Sequence, residues 1–237
     1  MYLNVFFKKL KKYIRNICQE SPYNIISLGP NCYPKTILTR KGLLKRHNEG
    51  EVTLPFDLTW YHSAKYVTEF LNNNFENFLA DLKYSEYSNS WDNGEKINFS
   101  HEAYIGPTEK HRLIQVYRKR IKNFRKKISE KKPILFLQIF KDDKVEPDCT
   151  ETYNAIKNIC SNKKFVYVVI DCINKINKNS LPQEIIFLEK PFPTENPNVF
   201  DKNFYLSEAG TTFEQEIADF LENIIKEEFA IWPVNYL

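Results

Sequence analysis

The chain has 237 residues, of which 42% are hydrophobic and 15% aromatic. This composition excludes an intrinsically disordered protein, and no apolar run approaches the roughly 18 residues of a membrane span. The first twenty residues carry a net charge of +4, equal to that of the whole chain, so residues 21–237 balance to zero and do not indicate a nucleic-acid partner.

The chain begins with a basic amphipathic segment. Apolar residues recur at helical spacing through residues 2–17, and lysines fill the opposite face. We expect an amphipathic basic helix over residues 1–20, followed by a single α/β domain over residues 21–237. Three partners could cover the apolar face of this helix: an anionic membrane surface, a second copy of the chain, or the domain itself.

A cysteine stands where a strand gives way to a helix. The apolar run 23–28 predicts a buried strand, residues 29–31 a tight turn, and Pro34 the start of a helix reaching about Arg46. Cys32 then lies at the helix N-terminus, where unpaired N–H groups and the helix dipole lower a thiol pKa. We interpret Cys32 as a candidate nucleophile. The alternative is a small buried residue that closes the corner between strand and helix.

The next segment carries an aspartate on an irregular stretch. Pro55 is incompatible with a regular helix or a central strand, so Asp57 is expected on a structured loop. Asp57 could orient a catalytic histidine, or it could cap the helix that we expect from Ser63 to about Asp81. Residues 83–96 are rich in Ser, Asn, Asp and Gly and are expected to form a long loop.

A histidine follows that loop. Residues 96–105 alternate enough to predict one or two short strands, and His101 lies within them between aromatic and acidic neighbours. A thiol nucleophile needs a base, which in proteins is usually histidine. We choose His101 as the partner of Cys32, because two other histidines lie in strongly basic surroundings. His62 is the alternative, since it follows Asp57 closely.

The second half of the chain alternates apolar strands with helices. Helices are expected at 108–132, 151–160 and 212–229, and strands at 134–140, 165–170 and 184–188. Unbroken apolar strands separated by helices are typical of a parallel sheet covered on both faces. With strand 23–28 they predict an α/β fold, a three-layer sandwich with a mostly parallel sheet of four or five strands. Ligands bind beyond the carboxyl ends of such strands, where Cys32, Lys141 and Asp171 are expected to share one edge.

The cysteines and histidines do not form a metal-binding pattern. The cysteines are odd in number, contain no CxxC pair and follow no secretory signal, which predicts a reduced, cytoplasmic protein: Cys18, Cys32, Cys149, Cys160 and Cys172. The histidines form no HxH or HExxH spacing: His47, His62, His101 and His111. The turn at 28–31 contains one glycine and no phosphate-binding motif. We therefore expect neither a metal nor a cofactor.

Four short motifs carry a family resemblance: Ser27-Leu28-Gly29-x-x-Cys32, Pro55-Phe56-Asp57, Phe99-x-His101 and Tyr117-x-x-Arg120-Ile121-x-x-Phe124. Together they resemble the "putative papain-like cysteine peptidase" family, a bacterial and viral family of otherwise unknown function, over residues 24–140. The resemblance implies that Cys32 is the nucleophile and His101 its histidine, with Asp57 in the family's Pro-Phe-Asp element. Two positions depart from the family pattern: Leu58 replaces a tryptophan and Glu102 an aspartate.

Two functions from different classes follow. The first is a cysteine-dependent hydrolase or acyl transferase of the cytoplasm, with Cys32, His101 and Asp57 as its catalytic residues and backbone N–H groups of the following helix as the oxyanion hole. Its layout also resembles SGNH-type hydrolases with cysteine in place of serine. The alternative is a non-catalytic or accessory module at the inner membrane surface, in cell-surface glycan assembly, held there by residues 2–17.

Overall fold

The computed structural model describes residues 21–61, 63–94, 96–142, 144–194 and 197–229. The strands in this part of the chain are β1 Asn24–Ser27, β2 Leu82–Ser85, β3 Ser90–Asn93, β4 Ile97–Asn98, β5 Ile134–Phe140, β6 Phe165–Asp171 and β7 Ile185–Glu189. The α-helices are α1 Tyr33–Arg40, α2 Lys65–Asn72, α3 Lys110–Ser129, α4 Cys149–Cys160, α5 Lys202–Tyr205 and α6 Glu208–Phe229.

Four strands form the parallel sheet that the sequence predicts. They lie in the order β1-β5-β6-β7, and every neighbouring pair is parallel. All seven residues of β5 are buried, because this strand lies between two others and is covered on both faces. The unbroken apolar runs in the sequence reflect this double burial.

The two faces of the sheet pack against different helices. Even-numbered residues of β5 such as Phe136 face a core shared with α2, α3 and α4. Odd-numbered residues such as Leu137 face a second core shared with α1 and α6. Successive side chains of a strand point to opposite faces, so β5 contributes to both cores. This confirms the predicted three-layer α/β sandwich.

The prediction of a long loop over residues 83–96 is wrong. This stretch contains an antiparallel hairpin, β2-β3, extended by the two residues of β4. Polar residues are typical of a loop, but in this hairpin the hydrogen bonds of a buried polar side chain are made within the protein. The Asn93 side-chain amide donates to the carbonyls of Asn77 and Phe78 at 2.9 and 2.8 Å. Trp91 is buried in the same core as Phe136, so the small sheet packs in the layer containing α2, α3 and α4.

Two helices end earlier than expected. Helix α1 ends at Arg40 rather than near Arg46, because Gly42 adopts a left-handed φ of 79° and the Leu43 N–H bonds the Leu38 carbonyl at 2.9 Å. Helix α2 ends at Asn72 rather than near Asp81, because Asn74 and Phe75 have positive φ values of 51° and 65°. The apolar residues beyond α2 remain buried in irregular turns.

The N-terminal segment expected to form an amphipathic helix lies outside the described residues, so its helix, its partner and the division at residue 20 stay predictions. In the described part of the chain, no helix is long and apolar enough to cross a membrane.

Candidate active site

Cys32 occupies the predicted position at the carboxyl edge of the parallel sheet. It is the N-cap residue of α1, and its carbonyl accepts the first helical hydrogen bond from the Thr36 N–H at 2.9 Å. Pairing between β1 and β5 continues into the preceding turn, where the Ile139 N–H reaches the Gly29 carbonyl at 3.4 Å. Of the four cysteines that the structure describes, Cys32 alone is not buried. Among the described cysteines it is therefore the candidate for a reactive thiol.

The turn before Cys32 rests on a buried tyrosine. The Tyr61 hydroxyl donates to the Leu28 carbonyl and accepts from the Gln138 amide at 3.2 Å. The Gln138 carbonyl oxygen in turn accepts from the Tyr167 hydroxyl. Both tyrosines and Gln138 are fully buried, so this chain of hydrogen bonds anchors the cysteine-bearing turn to β5 and β6. These residues carry no signal in the sequence, because a lone Tyr or Gln belongs to no motif.

The N–H groups at the start of α1 are mostly occupied. The Asn31 side-chain oxygen accepts from the Tyr33 N–H at 2.9 Å, and Pro34 has no N–H. Among the described residues, the Lys35 N–H has no acceptor. Within this helix the Lys35 N–H is therefore the donor left for the expected oxyanion hole, which stays a prediction.

The environment of the Cys32 thiol differs from the expectation of a lowered pKa. Burial raises the pKa of Cys32 above its ordinary value and outweighs three opposing influences: its own N–H, the Thr36 hydroxyl and the charge of Lys141. A thiol in this state is protonated at neutral pH, so it needs a base to remove the proton as it attacks.

Asp57 lies on a one-turn 3-10 helix, Pro55–Leu58, and is 1% exposed. One carboxylate oxygen accepts from the Leu54 N–H at 2.8 Å and lies 3.5 Å from the Lys35 ammonium. Burial raises the pKa of Asp57, and the Lys35 charge lowers it. Asp57 therefore caps its own turn, rather than the helix after Ser63, and contacts the helix that carries Cys32.

His101 lies on a 3-10 turn, Ser100–Glu102, rather than in a strand, and its side chain is exposed. Its neighbour Glu102 is buried and forms an ion pair with Arg120 of α3. The Arg120 guanidinium lies 4.4 Å from the centre of the Tyr117 ring, which packs 4.6 Å from the Phe99 ring. These motif residues thus form one cluster that holds the histidine turn against α3.

The described contacts do not bring the three predicted catalytic residues together. Within the described residues, no hydrogen bond joins Cys32 to His101, and Asp57 contacts no histidine. His62 lies outside the described residues, although the N–H of the preceding Tyr61 bonds the Pro30 carbonyl at 3.2 Å. The pairing of Cys32 with His101 stays a prediction.

A match to a family model identifies the family of this chain. The family model described as "Putative papain-like cysteine peptidase" matches residues 23–174. The chain belongs to this family. The match begins at β1 and ends just after β6, so this papain-like family segment contains Cys32, Asp57 and His101, whereas β7 and α6 lie beyond it. No curated protein and no solved structure matches the chain.

Proposed function

We propose that this protein is a cysteine-dependent hydrolase or acyl transferase in which Cys32 is the nucleophile. The observation that supports this most is the position of Cys32, a partly exposed residue at a helix N-terminus and at the carboxyl edge of a parallel sheet. The papain-like family description agrees with a reactive cysteine.

The proposed reaction is acyl transfer through a thioester. The Cys32 sulfur adds to a carbonyl carbon while a base accepts the thiol proton. The leaving group then departs with a proton, and water or another acceptor takes the acyl group. Because burial raises the pKa of the Cys32 thiol, the base is essential. His101 is the proposed base, and His62 is the alternative to be tested beside it.

Turnover of an activated ester tests the proposal. Wild-type protein incubated with p-nitrophenyl acetate should release more than one equivalent of p-nitrophenolate, and an acetyl thioester should map to Cys32. Cys32→Ala should abolish turnover. Substitution of the histidine that acts as the base should slow turnover by about 10²- to 10⁴-fold, the usual contribution of a general base.

The variants decide between the alternatives. His101→Asn and His62→Asn should differ, with the larger loss at His101. A larger loss at His62 would transfer the role of base to that residue. If Cys32→Ala releases p-nitrophenolate as fast as the wild type, the enzyme proposal is wrong and the accessory-module interpretation is favoured.

A further inference from the structure

Lys141 lies at the same edge of the sheet as Cys32. It directly follows β5, and Cys32 follows the turn after the adjacent parallel strand β1. The hydrogen bond from the Ile139 N–H to the Gly29 carbonyl aligns the two chain segments as they leave the sheet. The charge of Lys141 acts on the Cys32 thiol and lowers its pKa against the effect of burial.

An aromatic pair connects this lysine to Tyr33, the residue after Cys32. The Lys141 ammonium lies 5.4 Å from the centre of the Phe200 ring. The Phe200 ring in turn meets the ring of Tyr33, the residue after Cys32, edge-on at 6.1 Å. Among the described residues, no carboxylate lies within ion-pair distance of Lys141. Its positive charge is therefore not neutralised by any of them.

A buried donor lies on Asn31, the residue before Cys32. Asn31 is 6% exposed, and its side-chain oxygen is occupied by the Tyr33 N–H. Its amide nitrogen is buried and has no acceptor in the described part of the chain. A buried donor without an acceptor is unfavourable, so this amide favours a ligand that brings an acceptor oxygen.

We propose that Lys141 and Asn31 bind a carboxylate of the substrate beside the carbonyl that Cys32 attacks. The substrate class is then an acyl donor with a free carboxylate close to its reacting carbonyl. One ammonium and one amide match the two oxygens of a carboxylate, whereas a phosphate has three oxygens and up to two charges to satisfy. This inference rests on the proposed function, because it assigns the substrate of the same thiol.

Two alkylating agents that differ in charge test the inference without a known substrate. In both reactions the Cys32 sulfur forms a bond to carbon and iodide leaves, but iodoacetate carries a carboxylate and iodoacetamide is neutral. The rate with iodoacetate is divided by the rate with iodoacetamide at Cys32, both measured by peptide mapping. This ratio is compared with the same ratio for free cysteine. We expect the ratio to be about three- to tenfold higher at Cys32 and to fall as salt is added.

The control variants separate this site from general charge. Lys141→Met should return the ratio close to that of free cysteine, whereas Lys144→Met, which removes the same charge from an exposed position of the same loop, should leave it high. If Lys141→Met does not fold, the dependence of the wild-type ratio on salt concentration tests the same electrostatic attraction.

The outcomes are distinct from those of the ester assay. If the ratio at Cys32 in the wild type equals that of free cysteine, the carboxylate site is overturned and Cys32 can still be a nucleophile. Absence of ester turnover instead overturns the proposed function, whatever the alkylation ratio. Protection of Cys32 from iodoacetamide by inorganic phosphate that exceeds protection by acetate, at equal ionic strength, would also overturn the carboxylate assignment.

Discussion

Among single residues, Tyr61 connects the cysteine-bearing turn to the parallel sheet. Its hydroxyl links the Leu28 carbonyl, before the cysteine turn, to the Gln138 amide of β5. Tyr61→Phe leaves both groups buried and unpaired, so we expect a loss of about 1–3 kcal/mol in the free energy of unfolding, measured by urea denaturation.

The control for Tyr61 removes a hydroxyl that is hydrogen-bonded at the surface. The Tyr84 hydroxyl donates to Asn89 on an exposed part of the hairpin, so Tyr84→Phe should change the unfolding free energy by less than about 0.5 kcal/mol. Equal losses in the two variants would show that the buried network contributes nothing particular to stability.

At the scale of structural elements, the strand-turn-helix unit of β1 and α1 depends on one glycine. Gly29 has a φ of 83°, and a Cβ at this position would lie 2.6 Å from the Tyr61 side chain. Gly29→Ala therefore combines left-handed backbone strain, about 1–2 kcal/mol, with a steric clash in a packed core, about 1–3 kcal/mol more.

Gly50→Ala is the matched control for this substitution. Gly50 has a φ of 97°, but an added Cβ there would meet nothing within 4 Å. Its variant should lose only the backbone contribution. Urea denaturation of both variants gives the difference, and a Gly50→Ala loss as large as that of Gly29→Ala would contradict close packing of Tyr61 on the turn.

For the whole molecule, buried carboxylates predict how stability depends on pH. Burial raises the pKa of Asp57, Glu102 and Glu214, although each lies near a lysine or arginine that lowers it. Between the unfolded pKa, about 4, and the raised folded value, the folded state holds more protons than the unfolded state. The free energy of unfolding should therefore rise as the pH is lowered through the raised folded pKa values toward about 4.

Urea denaturation at several pH values checks this prediction. Glu102→Gln removes one of the three groups and should flatten the rise. A steady fall in stability as the pH is lowered toward about 4 would show that the nearby cations outweigh burial at these carboxylates.

The sequence alone was sufficient for the parallel sheet and for the position of Cys32. Strands β5 and β6 are apolar at every position except Gln138 and Asp171, because both of their faces are buried, and this pattern is visible in a single sequence. Pro34 near the helix start and Gly29 in the turn likewise indicate where the chain changes direction, since each restricts or extends the local backbone choices.

Only the tertiary structure decided which side chains meet. Asp57 contacts Lys35, and Glu102 contacts Arg120, across separations that no local pattern encodes. The β2-β3 hairpin is not evident from the sequence, because the side-chain amide of Asn93 is satisfied by the carbonyls of Asn77 and Phe78 in a separate segment. Local backbone preference and hydrophobic period are properties of neighbouring residues, whereas these contacts arise when separate segments pack, and that is decided by the fold as a whole.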